Sequence, residues 1–298
     1  MKKLLVVPML LFVMNATQAQ NPAEKTGSLL WRISGNNLAQ PSYVFGTHHL
    51  FPLSFLETVS GLNEALASTQ QVVGELITSD MWAMAAEMQT LGMMSPDTTW
   101  QMLLSPEDYQ FIDKQLTQTF GAGLQTFGVF RPLMINLTFT MALYQSMFPE
   151  ADPNQSMDAW FQLQTIERGL PVLGLETLQD QKDALFGVLS LKQEAEDLVC
   201  ALRNFEFVVN ATIELNRLYE AADLIGLMGM LRSDNPCADR AELEYALNNA
   251  RNARWLKKLP GIMAQTPSFI AVGALHLVGD VGILYGLARL GYTVEAVR

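Results

Sequence analysis

The strand-forming segments of this chain lie at its two ends, and the long stretch between them reads as helix. A sheet in such a chain has to be assembled from residues far apart in sequence. Leu29-Leu-Trp-Arg-Ile-Ser34 and Ser42-Tyr-Val-Phe45 are β-rich runs, and Gly35 to Gln40 between them has hairpin-loop composition. Ser54-Phe-Leu-Glu57 has capping-box spacing, and Val59, Leu62 and Leu66 follow at helical period. Gln71 to Leu76 is another short β-rich run. Ser105-Pro106 starts a helix, Arg131 to Met147 is a second with Pro132 near its start, and Met157 to Arg168 is a third, closed by Gly169. Pro171 to Glu176 reads as a buried strand. Glu194 to Leu231 and Asp239 to Leu259 are further helices, broken near Asp234-Asn-Pro-Cys237. The chain closes with a strand at Ser268 to Gly273, a helix from Asp280 to Arg289, and a strand at Tyr292 to Val297 after Gly291. The predicted class is therefore α/β: a central sheet formed by both chain ends and flanked by helices, with a large helical insertion at about 78–168 and 190–262. No Ser/Gly-rich linker divides it, so residues 20–298 are expected to form a single domain.

Residues 1–19 have the three parts of a secretory leader. Lys2 and Lys3 give a positive start, Leu4 to Val13 is apolar and uncharged, and Thr17 and Ala19 are small residues at the positions a signal peptidase reads. The apolar run is far shorter than the ~20 residues needed to span a bilayer, so no stable membrane anchor is expected. The mature protein is expected to be periplasmic or secreted. The formal charge is −11, and loss of Lys2 and Lys3 makes it −13. Such a surface repels phosphate backbones, which argues against nucleic acid as a partner. Cys200 and Cys237 are the two cysteines. In an oxidising compartment such a pair most often forms a disulfide; the alternative is two buried free thiols.

The three histidines, His48, His49 and His276, all fall in or beside two matching turns. Val44-Phe-Gly-Thr-His-His49 and Ala271-Val-Gly-Ala-Leu-His276 each place Gly-x-x-His at the carboxyl end of a strand. Loops at strand carboxyl ends are where open α/β sheets bind ligands. Gly46 and Gly273 are expected to let the backbone turn sharply without a Cβ clash. Glu75 ends another short strand. Two imidazoles and a carboxylate on three strand ends can converge on one divalent cation and leave positions open for water. Glu176, at the end of the Leu173-Gly-Leu strand, is a further candidate carboxylate; otherwise it caps the next helix. His48 fits better as a residue that holds its turn than as a ligand. Met81, Met84, Met88, Met93 and Met94 fit core or lid packing. No Gly-x-Ser-x-Gly occurs, so a serine nucleophile finds no support.

These residues also carry a resemblance. Tyr43-Val-Phe-Gly-Thr-His-His49, the strand ending in Val-Val-Gly-Glu75, Arg131-Pro132, Asp158, Pro171-Val-Leu-Gly-Leu-Glu-Thr177 with Gln181, Arg251-Asn252, and Gly273-Ala-Leu-His-Leu-Val-Gly279 leading to Gly291-Tyr-Thr-Val294 occur in order along the mature chain. Together they resemble the TraB/GumN family, which is related to the Tiki metalloproteases and more distantly to the erythromycin-esterase and ChaN groups. Tiki-like members use two Gly-x-x-His motifs and a Glu for a divalent-metal-dependent peptidase activity. By position, the resemblance implies His49, Glu75 and His276 as metal ligands; His48 and Glu176 are additional candidates from the reading of the residues alone. It implies Arg251 as an oxyanion-stabilising or supporting group, and Glu75 or His49 in catalysis. The implied cofactor is a divalent ion, Mn, Co or Zn, and the implied partner a peptide or other small substrate. Two other functions compete: a ChaN-like haem or small-ligand binder, and a catalytically silent protein acting through partners.

Overall fold

The structure, a computed structural model, describes residue 22 and residues 27–77, 81–152, 154–231, 235–237 and 241–298. The leader at 1–19, the predicted break at Asp234 and the predicted helix start at Asp239 lie outside the described residues. Six strands form one sheet: β1 (Leu30–Ser34), β2 (Ser42–Thr47), β3 (Gln71–Gly74), β4 (Val172–Gly174), β5 (Ser268–Gly273) and β6 (Thr293–Ala296). Their order is β4-β3-β5-β2-β1-β6. β2, β5, β3 and β4 run parallel to one another, and β1 is antiparallel to both its neighbours, β2 and β6. The sheet is thus drawn from both ends of the chain, as the strand pattern predicts.

The β1–β2 hairpin is bent by Gly35, Asn36 and Asn37, all at positive φ (77°, 46° and 63°), a conformation these residue types tolerate best. The central strands are apolar on both faces. Val44, Phe45, Val72, Val73, Phe269, Ile270 and Val272 are fully buried, as parallel strands covered by helices on both sides require. Trp255 and Leu259 of the Ala250–Gln265 helix, Phe161 of the Met157–Glu167 helix, and Ile283 and Leu287 of the Ile283–Arg289 helix complete this core. A second, smaller cluster lies wholly among helices: Trp100, Ile112, Leu116, Leu124, Ile135 and Leu198.

Several elements depart from the sequence expectation. The segment after Ser54 is a 3-10 turn, Leu53–Thr58, with no side-chain cap, followed by a separate α-helix at Leu62–Ser68. β4 is an edge strand, as is β6, and its residues are only half-buried or exposed; among the described residues nothing pairs beyond it. The predicted helix over 194–231 is three helices, Leu191–Arg203, Phe205–Glu220 and Leu224–Leu231, parted at Asn204 and at Ala222, whose φ is 53°. The last helix starts at Ile283 with Gly282 as its cap, so Asp280 does not open it. Cys200 and Cys237 are bonded, with Cα atoms 5.6 Å apart, inside the window a disulfide needs. Among the described residues, no helix is long and apolar enough to cross a membrane.

Candidate functional site

The parallel strands β4, β3, β5 and β2 all end on one rim, and each is followed there by a residue singled out in the sequence. Glu176 stands two residues past β4, Glu75 follows β3, His276 follows β5, and His48-His49 follow β2. Because β5 lies between β3 and β2, the His276 turn is flanked by Glu75 on one side and by the histidine pair on the other. Register fixes the depth: Thr47 pairs with Gly273, and Gly74 with Gly174.

Neither glycine of the two motifs adopts a positive φ, contrary to the expectation of a sharp glycine turn. Gly46 is needed for close approach instead. A Cβ there would lie 2.9 Å from Leu277 Cδ1 and 3.0 Å from Ala274 Cα. That contact seats β2 directly against the turn carrying His276. At Gly273, whose φ is −52°, a Cβ would meet Glu75 Oε1 and His276 Cδ2 at an ordinary 3.5 Å.

Arg251 is the hub. It is buried, 6% exposed, and its guanidinium reaches three side-chain partners. Nη2 donates to Glu75 Oε2 and, at 2.6 Å, to Glu176 Oε1; Nε donates to Glu176 Oε2 at 3.0 Å; Nη1 lies 3.1 Å from His276 Nε2. The guanidinium carbon sits 4.7 Å over the Trp255 ring, a cation–π contact. Just before Arg251, residues Tyr245–Asn249 form a π-helical turn, an insertion that often re-aims side chains at functional sites. Leu247 O in that turn accepts from Arg251 Nη1 at 3.1 Å. Helical periodicity in the sequence gives no sign of this turn.

Asn252 orients His276. Its Nδ2 donates to His276 O at 3.2 Å and to Val281 O at 3.1 Å, so its Oδ1 accepts from His276 Nδ1 at 2.7 Å. In the neutral imidazole this bonding assigns the proton to Nδ1 and leaves the Nε2 lone pair facing the cluster, 3.7 Å from Glu75 Oε1. Burial lowers the His276 pKa to about 4, so the ring is neutral at pH 7. His49 is held in a parallel way. Its Nδ1 meets Asp158 Oδ2 at 2.8 Å, and Asp158 Oδ1 accepts from Thr47 Oγ1 at 2.8 Å. The Asp158 carboxylate raises the His49 pKa to about 9, although the side chain stays 64% open to solvent. Asp158 and Asn252 belong to the motif set, but their roles as holders of the two histidines have no signature in local sequence.

Glu75 is buried, which alone would raise its pKa. The charges of His276 (protonated in the acid range where Glu75 titrates), Arg251 and His49, with the Gly273 amide donating to Oε1 at 2.9 Å, more than reverse this and hold it at about 2. Glu176 shifts the other way, pushed up by burial against the pull of Arg251. Glu176 is not a helix cap: Thr177 caps the next helix in a capping box with Asp180. His48 turns away from the cluster. Its Nδ1 accepts from Leu50 N at 3.2 Å, and its ring packs among Phe51, Tyr144 and Tyr219, so it braces the turn. Of the methionine stretch, Met94 packs on the helical cluster and Met93 is exposed.

Glu75, Glu176, Arg251 and His276 therefore meet, while His49 and His48 keep partners of their own. Among the described residues, no group of three or more His, Cys, Asp and Glu side chains is placed so that it could hold a metal ion as it stands. The match to a family model decides the kinship. It spans residues 29–296, nearly the whole chain, and its description is the TraB/PrgY/gumN family. The chain belongs to the TraB/PrgY/gumN family. Comparison with curated proteins and with solved structures gave no match. For this TraB/PrgY/gumN member, the matched region contains every residue of the rim just described.

Two histidines of the rim share one feature with metal-binding ones. Metal-binding histidines commonly present one ring nitrogen while the other is fixed by a carboxylate or an amide oxygen. His49, on Asp158, and His276, on Asn252, both have that arrangement. Two carboxylates face one guanidinium, so the cluster of Glu75, Glu176 and Arg251 keeps a residual negative charge.

Proposed function

We propose that this TraB/PrgY/gumN protein is an exported, divalent-metal-dependent hydrolase acting on peptide bonds or a related small substrate. The observation that carries the reading is the pair of histidines on one rim, each fixed at Nδ1 and each with Nε2 as its remaining ring nitrogen, with the His276 turn between Glu75 and His49. His49, His276 and Glu75 would hold Mn, Co or Zn. Such an ion polarises a carbonyl and lowers the pKa of bound water.

The chain's own groups supply the rest. Glu75 stays ionised far below neutral pH, which suits a ligand and makes it a weak base. Glu176, whose pKa is raised, is the better proton acceptor for a water molecule. Arg251 is a permanent cation near both and can steady a developing oxyanion. The Trp255 ring, against both Arg251 and His276, limits water on the inner side. The disulfide supports an oxidising compartment, in keeping with the leader-like residues 1–19.

The test is metal analysis of protein purified from the periplasm of an expressing bacterium, with peptide hydrolysis measured after adding back Mn, Co or Zn. Metal-stimulated hydrolysis that His276→Ala abolishes is expected. Full hydrolysis and full metal binding in His276→Ala would overturn the shared site. Mass spectrometry of the same sample should place the N-terminus at or near Gln20; an intact Met1 would remove the export reading.

A further inference from the structure

The cation position of the cluster is already filled by a side chain. Glu75 Oε2 is taken by Arg251 Nη2, and Glu75 Oε1 by the Gly273 amide at 2.9 Å. The His276 Nε2 lone pair points at Arg251 Nη1, 3.1 Å away. One guanidinium thus caps both inner donors of the site. The same group has a second anchorage that does not involve either donor: Glu176 receives Nε at 3.0 Å and Nη2 at 2.6 Å.

We propose that Arg251 is a built-in counter-cation of the metal site, which must withdraw from Glu75 and His276 for a divalent ion to bind and which stays tethered to Glu176 when it does. The proposal rests on the metal-dependent reading above and adds a competition to it. Without a counter-charge, two buried carboxylates so close together would be costly, so a metal-free chain needs a cation at this place. Arg251 cannot lose its charge to make room, because a guanidinium stays protonated in proteins. It can only move. Its bonds to Glu75 and His276 come from the terminal Nη atoms, whereas Nε, on the inner side of the rigid guanidinium plane, bonds Glu176. A change in the side-chain torsions that moves the whole plane toward Glu176 breaks the first two contacts and the Nη1 bond to Leu247 O, and keeps a contact to Glu176. Ion binding and the Arg251–Glu75 contact then oppose each other reciprocally, as linkage requires.

This differs from an arginine that merely supports a bound ion. Support predicts weaker metal binding when Arg251 is removed, whereas competition predicts tighter binding. The experiment is calorimetric titration of the full mature chain with Mn(II), at one pH and one ionic strength, for wild type, Arg251→Lys and Arg251→Met. Arg251→Met keeps an apolar stem against Trp255 and removes the charge. It should bind Mn roughly tenfold tighter or more, given a cation removed from contact distance of the ion's ligands. Arg251→Lys, whose ammonium is a point charge without the fork, should fall between. Because Arg251→Met leaves two buried carboxylates unpaired, its metal-free form should melt below wild type, and its Tm should rise more on adding Mn. If it does not fold without the ion, Arg251→Lys alone decides, by binding Mn more tightly than wild type. Equal or weaker Mn binding in the variants, with wild type binding normally, overturns the counter-cation role and leaves the metal site standing. No binding of Mn, Co or Zn by wild type or variants overturns the metal reading together with it.

Discussion

The three histidines are pulled apart electrostatically by what surrounds each one. Burial holds His48 and His276 at about 4, below the ordinary 6.5, while the Asp158 carboxylate holds His49 at about 9. Between pH 6.5 and 4 the unfolded chain binds protons that folded His48 and His276 refuse, so folding stability falls as pH drops through that window. Each contributes at most about 3 kcal/mol to the fall. His49 acts in the opposite sense: its stabilisation is complete below pH 6.5 and is lost as pH rises from there to about 9. Metal-free protein should therefore be most stable near pH 6.5 and soften on both sides. Thermal melts from pH 4.5 to 9 would show it. His48→Phe, which fills the same aromatic surroundings without a titrating ring, should flatten the acid limb; an acid limb as steep as wild type would show that His48 does not titrate in this way.

At the scale of elements, the two strands carrying Gly-x-x-His were legible because each has an apolar centre and a glycine at or next to its end. The placement of Glu75, Glu176 and His276 on one rim follows from those strand ends alone. Other elements were illegible for physical reasons. Ser54 and Glu57 have capping-box spacing, yet the chain forms a 3-10 turn there and restarts its helix only after Gly61. The Tyr245–Asn249 π-turn leaves no trace in hydrophobic spacing, although it directly precedes Arg251. The π-turn and the pairings with Asp158 and Asn252 depend on contacts across the fold, which periodicity does not record. The two motif glycines give a test at this scale. Gly46→Ala should cost roughly 1 to 3 kcal/mol, by overpacking against Leu277 and Ala274. Gly273→Ala, at a φ of −52° with ordinary contacts, should change stability by less than about 1 kcal/mol. Urea unfolding of both variants would compare them, and equal costs would mean that Gly46 is not a packing glycine.

For the whole molecule, the disulfide is the one covalent tie between the helical cluster and the segment leading back to the sheet. Cys200 lies in the same Leu191–Arg203 helix as Leu198, and Cys237 is separated from it by 37 positions. Closing a loop of that length removes unfolded-chain entropy equivalent to about 4 kcal/mol. Reduction, or Cys200→Ser with Cys237→Ser, should lower stability by up to that amount. Denaturant melts with and without reductant would measure it, and coincident curves would show the bond to be dispensable.

The sheet has a further consequence, for the history of a single molecule. β1 is held between β2 and β6, and β6 ends at Ala296, two residues before the chain does. Ser28 Oγ even bonds Val297 O at 3.0 Å. A chain emerging from a ribosome, or threaded through a translocation channel, therefore carries its rim in pieces until β5 and the His276 turn arrive. If the protein is exported before that docking step and takes up an ion as proposed, that ion would be drawn from the metals of the destination, whatever ions surrounded its synthesis.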